Sequence, residues 1–302
     1  MSCIADSNAR AADRGAAAVS PLSRELIAEA APGFEVEAVQ ETGSTNTDLL
    51  QRVRQAQPPQ PLLRAALRQT AGRGRLGRRW FAGAGGALLF SLAVPMQAEG
   101  ARIAAATLAC GVGAAERLRA AGAPVSLKWP NDLMIDGRKL GGVLCELAID
   151  GEGRRTLVVG IGINLRLDAA TRGSIGQPAA ALDEAMTAAV PRESLIGGIA
   201  GAVLDALRLY DAQGFVPLQP RFMALFAQRD ATVDLLELGT CVASGRALGV
   251  DGEGQLLLQT DEGLRACSSG ELSLRESGAP TGRAEDARSP ARGRHAGAKR
   301  AT

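Results

Sequence analysis

Two Asp-Gly pairs, at positions 136–137 and 150–151, constrain the topology of this chain more than any other local feature. Each pair lies between apolar runs, and an Asp-Gly pair in that position is the sequence signal of a tight hairpin turn. Consecutive hairpins make neighbouring strands antiparallel, whereas parallel strands need long crossover connections. The sequence therefore predicts a mixed sheet and argues against a doubly wound one.

Apolar patterns around these turns predict the elements of a folded body. The predicted strands cover residues 34–39, 63–68, 87–94, 125–129, 141–149 and 156–165. The predicted helices cover residues 21–30, 45–56, 102–121, 191–212 and 216–226. From residue 231 onward, short strands separated by glycines are typical of a small β-barrel that ends near Arg275. The predicted fold class is α+β: a mixed, largely antiparallel sheet flanked by helices, with a small C-terminal β-barrel.

Composition at the two ends predicts tails around that body. We expect a disordered N-terminal tail at 1–20, a large domain at 21–228, a small β-barrel at 229–276 and a disordered basic tail at 277–302. The basic tail has six basic and two acidic side chains, a net charge of +4, so the rest of a chain with net charge +2 carries −2. A slightly acidic body has no general footprint for nucleic acid. The tail could contact RNA or an anionic surface, but a solvated tail is the favoured interpretation.

The sequence carries no membrane or secretion signal that we recognise, and its cysteines predict a reduced compartment. No apolar run approaches the roughly 18 residues of a membrane span, and no apolar core follows a basic N-terminal start. The five cysteines are odd in number and widely spaced, and no Cys/His spacing suggests a metal site. We expect a cytoplasmic protein whose thiols are mostly small core residues, with a catalytic thiol as the alternative.

The scarce residues of the chain cluster in a few segments. Only two lysines, Lys128 and Lys139, lie outside the C-terminal tail, and the only tryptophans are Trp80 and Trp129. Arginine cannot replace the compact ammonium of lysine, so these lysines indicate positions with a specific requirement. The sole histidine, His295, lies in the tail. A mechanism in the body must therefore use cations, amides, carboxylates and backbone N–H groups instead of histidine.

A glycine- and arginine-rich segment follows the second predicted strand. Residues 72–77 formally match GxGxxG, but Trp80 and then another strand follow them where a dinucleotide fold needs a helix. We interpret the segment as an anion clamp, because its glycines let backbone N–H groups approach a ligand and its guanidinium groups bind carboxylate and phosphate oxygens. A solvated basic turn is the alternative. No P-loop motif is present.

Five motifs together resemble the biotin protein ligases, in the order that this family has them. They are ETGSTN at 41–46, QTAGRGRLGRRW at 69–80, KWPNDL at 128–133, KLGGVLCE at 139–146 and GIGINL at 160–165. The resemblance implies a class II synthetase-like catalytic domain and a C-terminal barrel of the Src-homology type. It also implies the short form of the family, since the segment before residue 41 is too short for a helix-turn-helix DNA-binding domain.

The resemblance implies an activity, its substrates and its partner. Biotin would be activated with ATP to biotinyl-5'-AMP, releasing pyrophosphate, and transferred to a lysine of a biotin carboxyl carrier protein of acetyl-CoA carboxylase or a related carboxylase. ATP and biotin would be substrates, with Mg²⁺ required and its protein ligands unknown. No specific DNA, no membrane and a monomer or weak homodimer are expected.

Site residues are carried over by matching position. The implied biotin-binding residues are Ser44, Thr45, Asn46, Gln69, Gly72, Arg73, Gly74, Arg75, Lys139 and Gly142. The implied adenylate-binding residues are Arg75, Arg78, Trp80, Asn131, Lys139 and Asn164. Arg75, Lys139 and Mg²⁺ would neutralise the biotin carboxylate and the α-phosphate that it attacks. Asp132, the third implied catalytic residue, would steer Mg²⁺ or the acceptor amine, or it is a turn residue after Pro130.

Two other functions remain open on the sequence. A lipoate or octanoate ligase shares this kind of fold, although the Gly/Arg segment and the KWPND motif favour biotin. A biotin-sensing regulator without catalytic activity is the second alternative. The presence of both Arg75 and Lys139 argues against it.

Overall fold

The computed structural model describes residues 19–97, 103–269 and 272–277. A seven-stranded sheet forms its centre. The strands are β1 Glu35–Thr42, β2 Leu62–Gln69, β3 Ala87–Met96, β4 Ser126–Lys128, β5 Asp132–Ile135, β6 Arg138–Ile149 and β7 Arg155–Asn164. Their order in the sheet is β1-β2-β3-β7-β6-β5-β4, and only β1 and β2 are parallel. The mixed, largely antiparallel sheet is confirmed.

The two Asp-Gly pairs lie at hairpin turns, as predicted. Asp136 and Gly137 both have positive φ, 48° and 70°, and join β5 to β6. Asp150 begins the longer turn between β6 and β7, where its carboxylate accepts hydrogen bonds from the backbone N–H groups of Glu152 and Arg154. The first hairpin differs from the prediction in one respect: β5, which is not among the predicted strands, pairs with β6, and the predicted strand at 125–129 pairs with β5 instead.

Seven α-helices lie within the described residues. They are α1 Arg24–Ala30, α2 Thr45–Gln55, α3 Ile103–Ala120, α4 Ala169–Ser174, α5 Leu182–Ala185, α6 Arg192–Gln213 and α7 Gln219–Leu225. α3 and α6 pack on each other and on one face of the sheet, where they bury the larger core. α2 packs on the opposite face, against residues such as Ala93, Ala148 and Val158. The short helices α4 and α5 were not predicted, because neither is long enough to show a periodic pattern.

The face that α2 covers becomes open beyond the end of the helix. Alternate residues of a strand share one face, so Ser91 lies with Ala93, and Gly160 and Gly162 lie with Val158. On β6, Gly142 shares a face with Ala148 by the same rule. Small residues thus occupy this part of the sheet, and they form the floor of a cavity.

The C-terminal part of the chain forms a second, smaller sheet. Its strands are β8 Thr232–Glu237, β9 Thr240–Val250, β10 Leu256–Thr260, β11 Gly263–Cys267 and β12 Leu272–Glu276. All neighbours are antiparallel in the order β11-β10-β9-β8-β12. The small antiparallel sheet is therefore confirmed. Among the described residues no pairing joins β11 to β12, so the closure of this sheet into a barrel stays a prediction. Trp129 Nε1 donates to the carbonyl oxygen of Gly254 at 3.3 Å and connects this sheet to the larger one.

Some sequence predictions lie outside the described residues. Most of the predicted N-terminal tail at 1–20 and nearly all of the basic tail at 277–302 are among them. The proposed domain boundaries stay predictions. Within the described ranges, no helix is long and apolar enough to cross a membrane. The four cysteines that the structure describes form no disulfide.

Candidate functional site

A cavity of about 1090 Å³ lies on the open face of the large sheet, next to α2. Its floor is formed by the small residues of β3, β6 and β7, and its roof by the segment at 72–80. Residues 175–178 and five strand residues of the small sheet contribute further walls; the five are Leu236, Leu272, Ser273, Leu274 and Arg275. All the site residues predicted from the sequence line this cavity except Gly72. The structure therefore brings them together, whereas their ligand roles stay predictions.

The N-terminus of α2 forms one wall. Ser44 is the N-cap residue, and its Oγ accepts a hydrogen bond from Thr47 N at 3.5 Å. Thr45 donates from its backbone N to Gln69 Oε1 at 2.8 Å, and its hydroxyl lies 2.7 Å from Ser91 Oγ. The Gln69 oxygen is thus used inside the protein, which leaves the amide N–H₂ group of Gln69 as the part suited to a ligand.

Asn46 connects this wall to β6 through a carboxylate. Its Nδ2 donates to Glu146 Oε2 at 2.6 Å, and the other oxygen of Glu146 accepts from Arg73 Nη2 at 2.7 Å. Arg73 also donates to Thr47 Oγ1 at 3.3 Å. Arg73, predicted as a ligand contact, is therefore an internal link between the roof segment, α2 and β6 in this structure.

The roof segment folds back on itself instead of continuing into a helix. Gly74 N donates to the carbonyl oxygen of Arg78 at 2.7 Å, and Trp80 N donates to that of Gly72 at 2.9 Å. Leu76 and Gly77, at the tip, both have positive φ. A Cβ atom at Gly72 would lie 2.8 Å from the carbonyl oxygen of Trp80, so glycine is required there by the close backbone approach.

Arg75 points from the roof into the partly buried side of the cavity. Its Nη1 donates to Asn131 Oδ1 at 3.3 Å, and its Nη2 donates to the carbonyl oxygen of Ser269 at 2.9 Å. Burial lowers the pKa of the Arg75 guanidinium, while the nearby Asp132 carboxylate acts in the opposite direction. Arginine stays charged in proteins, so its burial is a cost that an anionic ligand would offset.

Lys139 meets Asp132 on the neighbouring strand. The distance from Lys139 Nζ to Asp132 Oδ1 is 2.6 Å, and the two side chains are 20% and 18% exposed. The backbone of Lys139 is held on its other side, because its N donates to the Pro178 carbonyl oxygen at 3.0 Å and its own carbonyl accepts from Ala180 N at 2.9 Å. The cavity thus contains a fixed ammonium group close to a carboxylate.

Trp80 and Asn164 differ in how they contribute. The ring of Trp80 lies on β7, where a Cβ atom at Gly162 would lie 2.7 Å from ring atom Cε2. Trp80 Nε1 is buried, and no hydrogen-bond partner reaches it within the described part of the chain. The amide of Asn164 is buried and donates to the carbonyl oxygen of Ala180 at 3.0 Å. Asn164 therefore holds the 175–180 segment in place.

Ser91 and Glu146 are among the polar residues of the site that were given no role on the sequence. Ser91 is a fully buried hydroxyl in an otherwise apolar strand, and that contrast was the signal that could have identified it. Glu146 ends one of the five motifs but was given no role. The cavity residues of the small sheet could not be found from the sequence, because only the packing of the two sheets brings them to the site.

The arrangement can bind two anions close together and reduce the repulsion between them, so that one can attack the other. Several cationic residues line the cavity, Arg75 and Lys139 among them, together with amide donors and the N-terminus of α2. Among the described residues no group of three or more His, Cys, Asp or Glu side chains could hold a metal by itself. Such a site can stabilise the negative charge that develops when one anion attacks another.

Comparison with family models defines the class of this protein. The model described as the biotin/lipoate A/B protein ligase family matches residues 38–164, and the model of the biotin protein ligase C-terminal domain matches residues 233–275. The two matches fall on the large and the small sheet respectively. The chain belongs to the biotin protein ligase family, as the resemblance of its motifs predicted.

Curated relatives agree with this membership. The chain is 34% identical over 233 residues to the bifunctional ligase/repressor BirA of Salmonella typhimurium, a match covering 77% of this chain and 72% of the relative. It is 30% identical over 216 residues to the biotin–[acetyl-CoA-carboxylase] ligase of Paracoccus denitrificans, covering 68% of this chain and 88% of the relative.

Solved structures have the same fold. The biotin protein ligase of Aquifex aeolicus in complex with biotin and ATP superimposes with a TM-score of 0.68 and 28% identity, covering 80% of this chain and 99% of that one. The architecture predicted from the sequence is therefore confirmed as a biotin ligase fold with a C-terminal antiparallel sheet.

Proposed function

We propose that the cavity carries out both half-reactions of an ATP-dependent biotin–protein ligase. Biotin is activated with ATP to biotinyl-5'-AMP, pyrophosphate leaves, and the acyl group passes to a lysine of a biotin carboxyl carrier protein. Membership of the family supports this activity. The observation that carries the proposal for these particular residues is the convergence of Arg75 and Lys139 on one cavity beside the polar N-terminus of α2.

The bicyclic ring of biotin belongs at the α2 end of the cavity. Its ureido group offers one carbonyl acceptor and two N–H donors. The Gln69 amide N–H₂ and the Ser44 hydroxyl suit the carbonyl, because their other hydrogen-bonding atoms are engaged inside the protein. The glycine floor leaves space for the ring and the valeryl chain to run along β6.

The reacting groups belong between the roof and β6. A biotin carboxylate and an α-phosphate repel each other, and the Lys139 ammonium and the Arg75 guanidinium neutralise both partners and the charge that develops between them. Removing the repulsion where it is largest, in the transition state, raises the rate of the first half-reaction. Trp80 and Asn131 are proposed to flank the adenylate, and Arg78, which is exposed at the roof, to meet phosphate oxygens.

Asp132 has a position that supports more than a turn role. It begins β5, and its carboxylate pairs with Lys139, so it holds the ammonium group in place. An acceptor lysine must lose a proton before it attacks the mixed anhydride, and a cavity carboxylate can orient that amine. We propose these two roles for Asp132, positioning of Lys139 in the first step and of the acceptor amine in the second.

Magnesium is proposed to enter with ATP. The donor set fits a shared site better than a protein cage, because Asp132 is the only carboxylate among the described residues lining the cavity. Mg²⁺ is commonly bound by one or two carboxylates together with substrate phosphates and water. The ion would neutralise phosphate charge, and Asp132, in addition to its two positioning roles, would be its protein ligand.

A direct assay tests the proposed function. The protein is incubated with biotin, ATP labelled in the α-phosphate and an isolated carrier domain. We expect labelled biotinyl-AMP without the carrier, and biotinylated carrier with release of labelled AMP when it is added. Lipoate in place of biotin should give neither product. A preference for lipoate would support the alternative ligase, and biotin binding without any turnover would support the regulator.

Substitutions at two adjacent glycines of β6 should distinguish an effect on folding from an effect on ligand binding. A Cβ atom at Gly141 would lie 2.5 Å from the Gly162 carbonyl oxygen, so Gly141→Ala should destabilise the fold by about 1–3 kcal/mol. A Cβ atom at Gly142 would lie 3.6 Å from Asp132 Oδ1, an ordinary contact, so Gly142→Ala should leave stability unchanged within about 0.5 kcal/mol.

In the kinetics the order of the two variants should be reversed, with the larger effect in Gly142→Ala. If biotin lies along β6, the methyl group of Gly142→Ala occupies ligand space and raises the KM for biotin by about tenfold. Denaturant unfolding and steady-state adenylate formation measure the two effects. A Gly142→Ala variant with wild-type KM for biotin would place the ligand elsewhere in the cavity.

The carrier protein is the macromolecular partner, and we propose that specific DNA is not. The sequence outside the basic tail carries a net charge of −2, which gives no general electrostatic attraction to the phosphate backbone. Gel-shift assays with biotin-operon control regions should show no sequence-dependent band, with or without biotin. Binding that is sequence-dependent and persists at about 200 mM salt would contradict this.

A monomer or weak homodimer and a cytoplasmic location also stay proposals.

A further inference from the structure

Glu146, the carboxylate that the sequence analysis left without a role, joins two walls of the cavity. Its side chain is 26% exposed, and each of its oxygens has a different partner. Oε2 accepts from Asn46 Nδ2 at 2.6 Å, and Oε1 accepts from Arg73 Nη2 at 2.7 Å. One group on β6 thus restrains both the first turn of α2 and the roof segment.

The contact with Glu146 determines which way the Asn46 amide faces. An ionised carboxylate only accepts hydrogen bonds, so the amide must present its N–H₂ side to it. The amide oxygen then faces away from Glu146. Asn46 Oδ1 lies over the cavity floor, where a Cβ atom at Gly160 would be 2.9 Å from it.

The Asn46 oxygen is an acceptor in need of a donor. Asn46 is 3% exposed, and among the described residues no donor forms a hydrogen bond with its Oδ1. A buried acceptor without a partner is costly, and such atoms in native proteins call for an explanation. Because Asn46 and Gly160 both line the cavity, a ligand N–H group is the donor that the geometry favours.

We infer that Glu146 is a positioning residue for the recognition of biotin: it orients the Asn46 amide so that Oδ1 accepts one ureido N–H. This inference rests on the proposed function. A lipoyl or octanoyl group has no N–H at the corresponding end, and it would leave Oδ1 buried without a partner. The same carboxylate discriminates between the acyl substrates of the two kinds of ligase without touching either.

Two biotin analogues probe this contact without adding bulk. They are the cyclic carbamates in which one or the other ureido N–H is replaced by oxygen. The wild type should accept the analogue that keeps the N–H facing Asn46 far better than the one that lacks it, by about ten- to a hundredfold in kcat/KM for adenylate formation. In Glu146→Ala and the nearly isosteric Glu146→Met, the amide is free to turn its N–H₂ group towards the ring oxygen. The difference between the analogues should shrink to about threefold or less.

The kinetic constants of natural biotin separate positioning from a general structural effect. Both Glu146 variants should raise the KM for biotin by about ten- to a hundredfold, while the KM for ATP and kcat at saturating biotin stay within about threefold. Asn46→Leu should remove the difference between the analogues in the same way. Arg73→Ala keeps the Asn46–Glu146 contact, so it should retain that difference.

A matched control is available outside the cavity. Glu116 is a carboxylate on α3 paired with Arg221, and Glu116→Ala removes an ion pair without touching the site. It should leave the KM for biotin and the order of the analogues unchanged. Thermal unfolding checks that every variant is folded. Wild type that forms no biotinyl-AMP would refute the proposed function. Wild type that turns over biotin, together with folded Glu146 variants that still distinguish the analogues as it does, would refute the positioning role alone.

Discussion

Lys139→Ala should lower the rate of biotinyl-AMP formation by about 10²–10³ while the fold persists. The Lys139 ammonium lies in the cavity, 2.6 Å from Asp132 Oδ1. Without it, the biotin carboxylate and the α-phosphate repel each other with only Arg75 and Mg²⁺ to compensate. Single-turnover formation of labelled adenylate measures the loss, and circular dichroism with thermal unfolding checks the fold.

The removal of Lys139 also leaves Asp132 without its partner, so two further variants are needed. Lys139→Ala combined with Asp132→Asn removes the unpaired charge and should recover stability without recovering the rate. Arg68→Ala deletes a cation whose pair with Glu41 is about half exposed, and it should change neither quantity. Turnover of Lys139→Ala within about threefold of wild type would show that Lys139 is not catalytic.

Arg75→Gly should still form biotinyl-AMP but release it about ten- to a hundredfold faster, and it should label unrelated lysine-rich proteins. Arg75 connects the roof segment to Asn131 on one side and to Ser269 on the other. These contacts restrain the roof over the cavity, and a bound adenylate adds charge-assisted hydrogen bonds to the same guanidinium. Loss of the side chain opens the roof, and the reactive mixed anhydride reaches solvent.

Glycine also adds backbone freedom, so Arg75→Ala is the matched control. It removes the same side chain without that freedom. Equal leakage from both variants would assign the effect to the guanidinium, whereas leakage from the glycine variant alone would assign it to the backbone. The assay incubates each protein with biotin, ATP and a bystander protein. If a variant makes adenylate but labels the bystander no more than wild type does, Arg75 is not the residue that keeps the adenylate in the cavity.

Elements with strong local signals were predictable from the sequence. The helix at 45–56 was found as Thr45–Gln55 because Ser44 caps it and its apolar residues share one face. The Asp-Gly turns placed the hairpins. β5 was missed because its four residues, Asp132–Ile135, follow Pro130-Asn131 and precede Asp-Gly, so that turn residues dominate the local pattern. Its strand character comes from pairing on both edges, with β4 and β6.

The site was predictable in part for a different reason. The motifs marked the residues that line the cavity, since scarce lysine, asparagine and tryptophan cluster in them. The motifs did not distinguish residues facing a ligand from those holding the wall. Asn164 and Arg73 both turned out to make internal contacts, with Ala180 and Glu146 respectively.

By itself, the sequence determined the mixed sheet, the capped helix beside the site and the family, because turns, caps, periodicity and motifs are properties of neighbouring residues. The tertiary structure alone decided which distant atoms meet. Arg75 donates to a carbonyl 194 positions further along the chain, and Asn46 donates to a carboxylate 100 positions away. Local patterns specify which face of a strand or helix is apolar, but the register of the strands and the packing of the two sheets select the partners across the cavity. The orientation of the Asn46 amide, and the donor that it requires, follow from that selection.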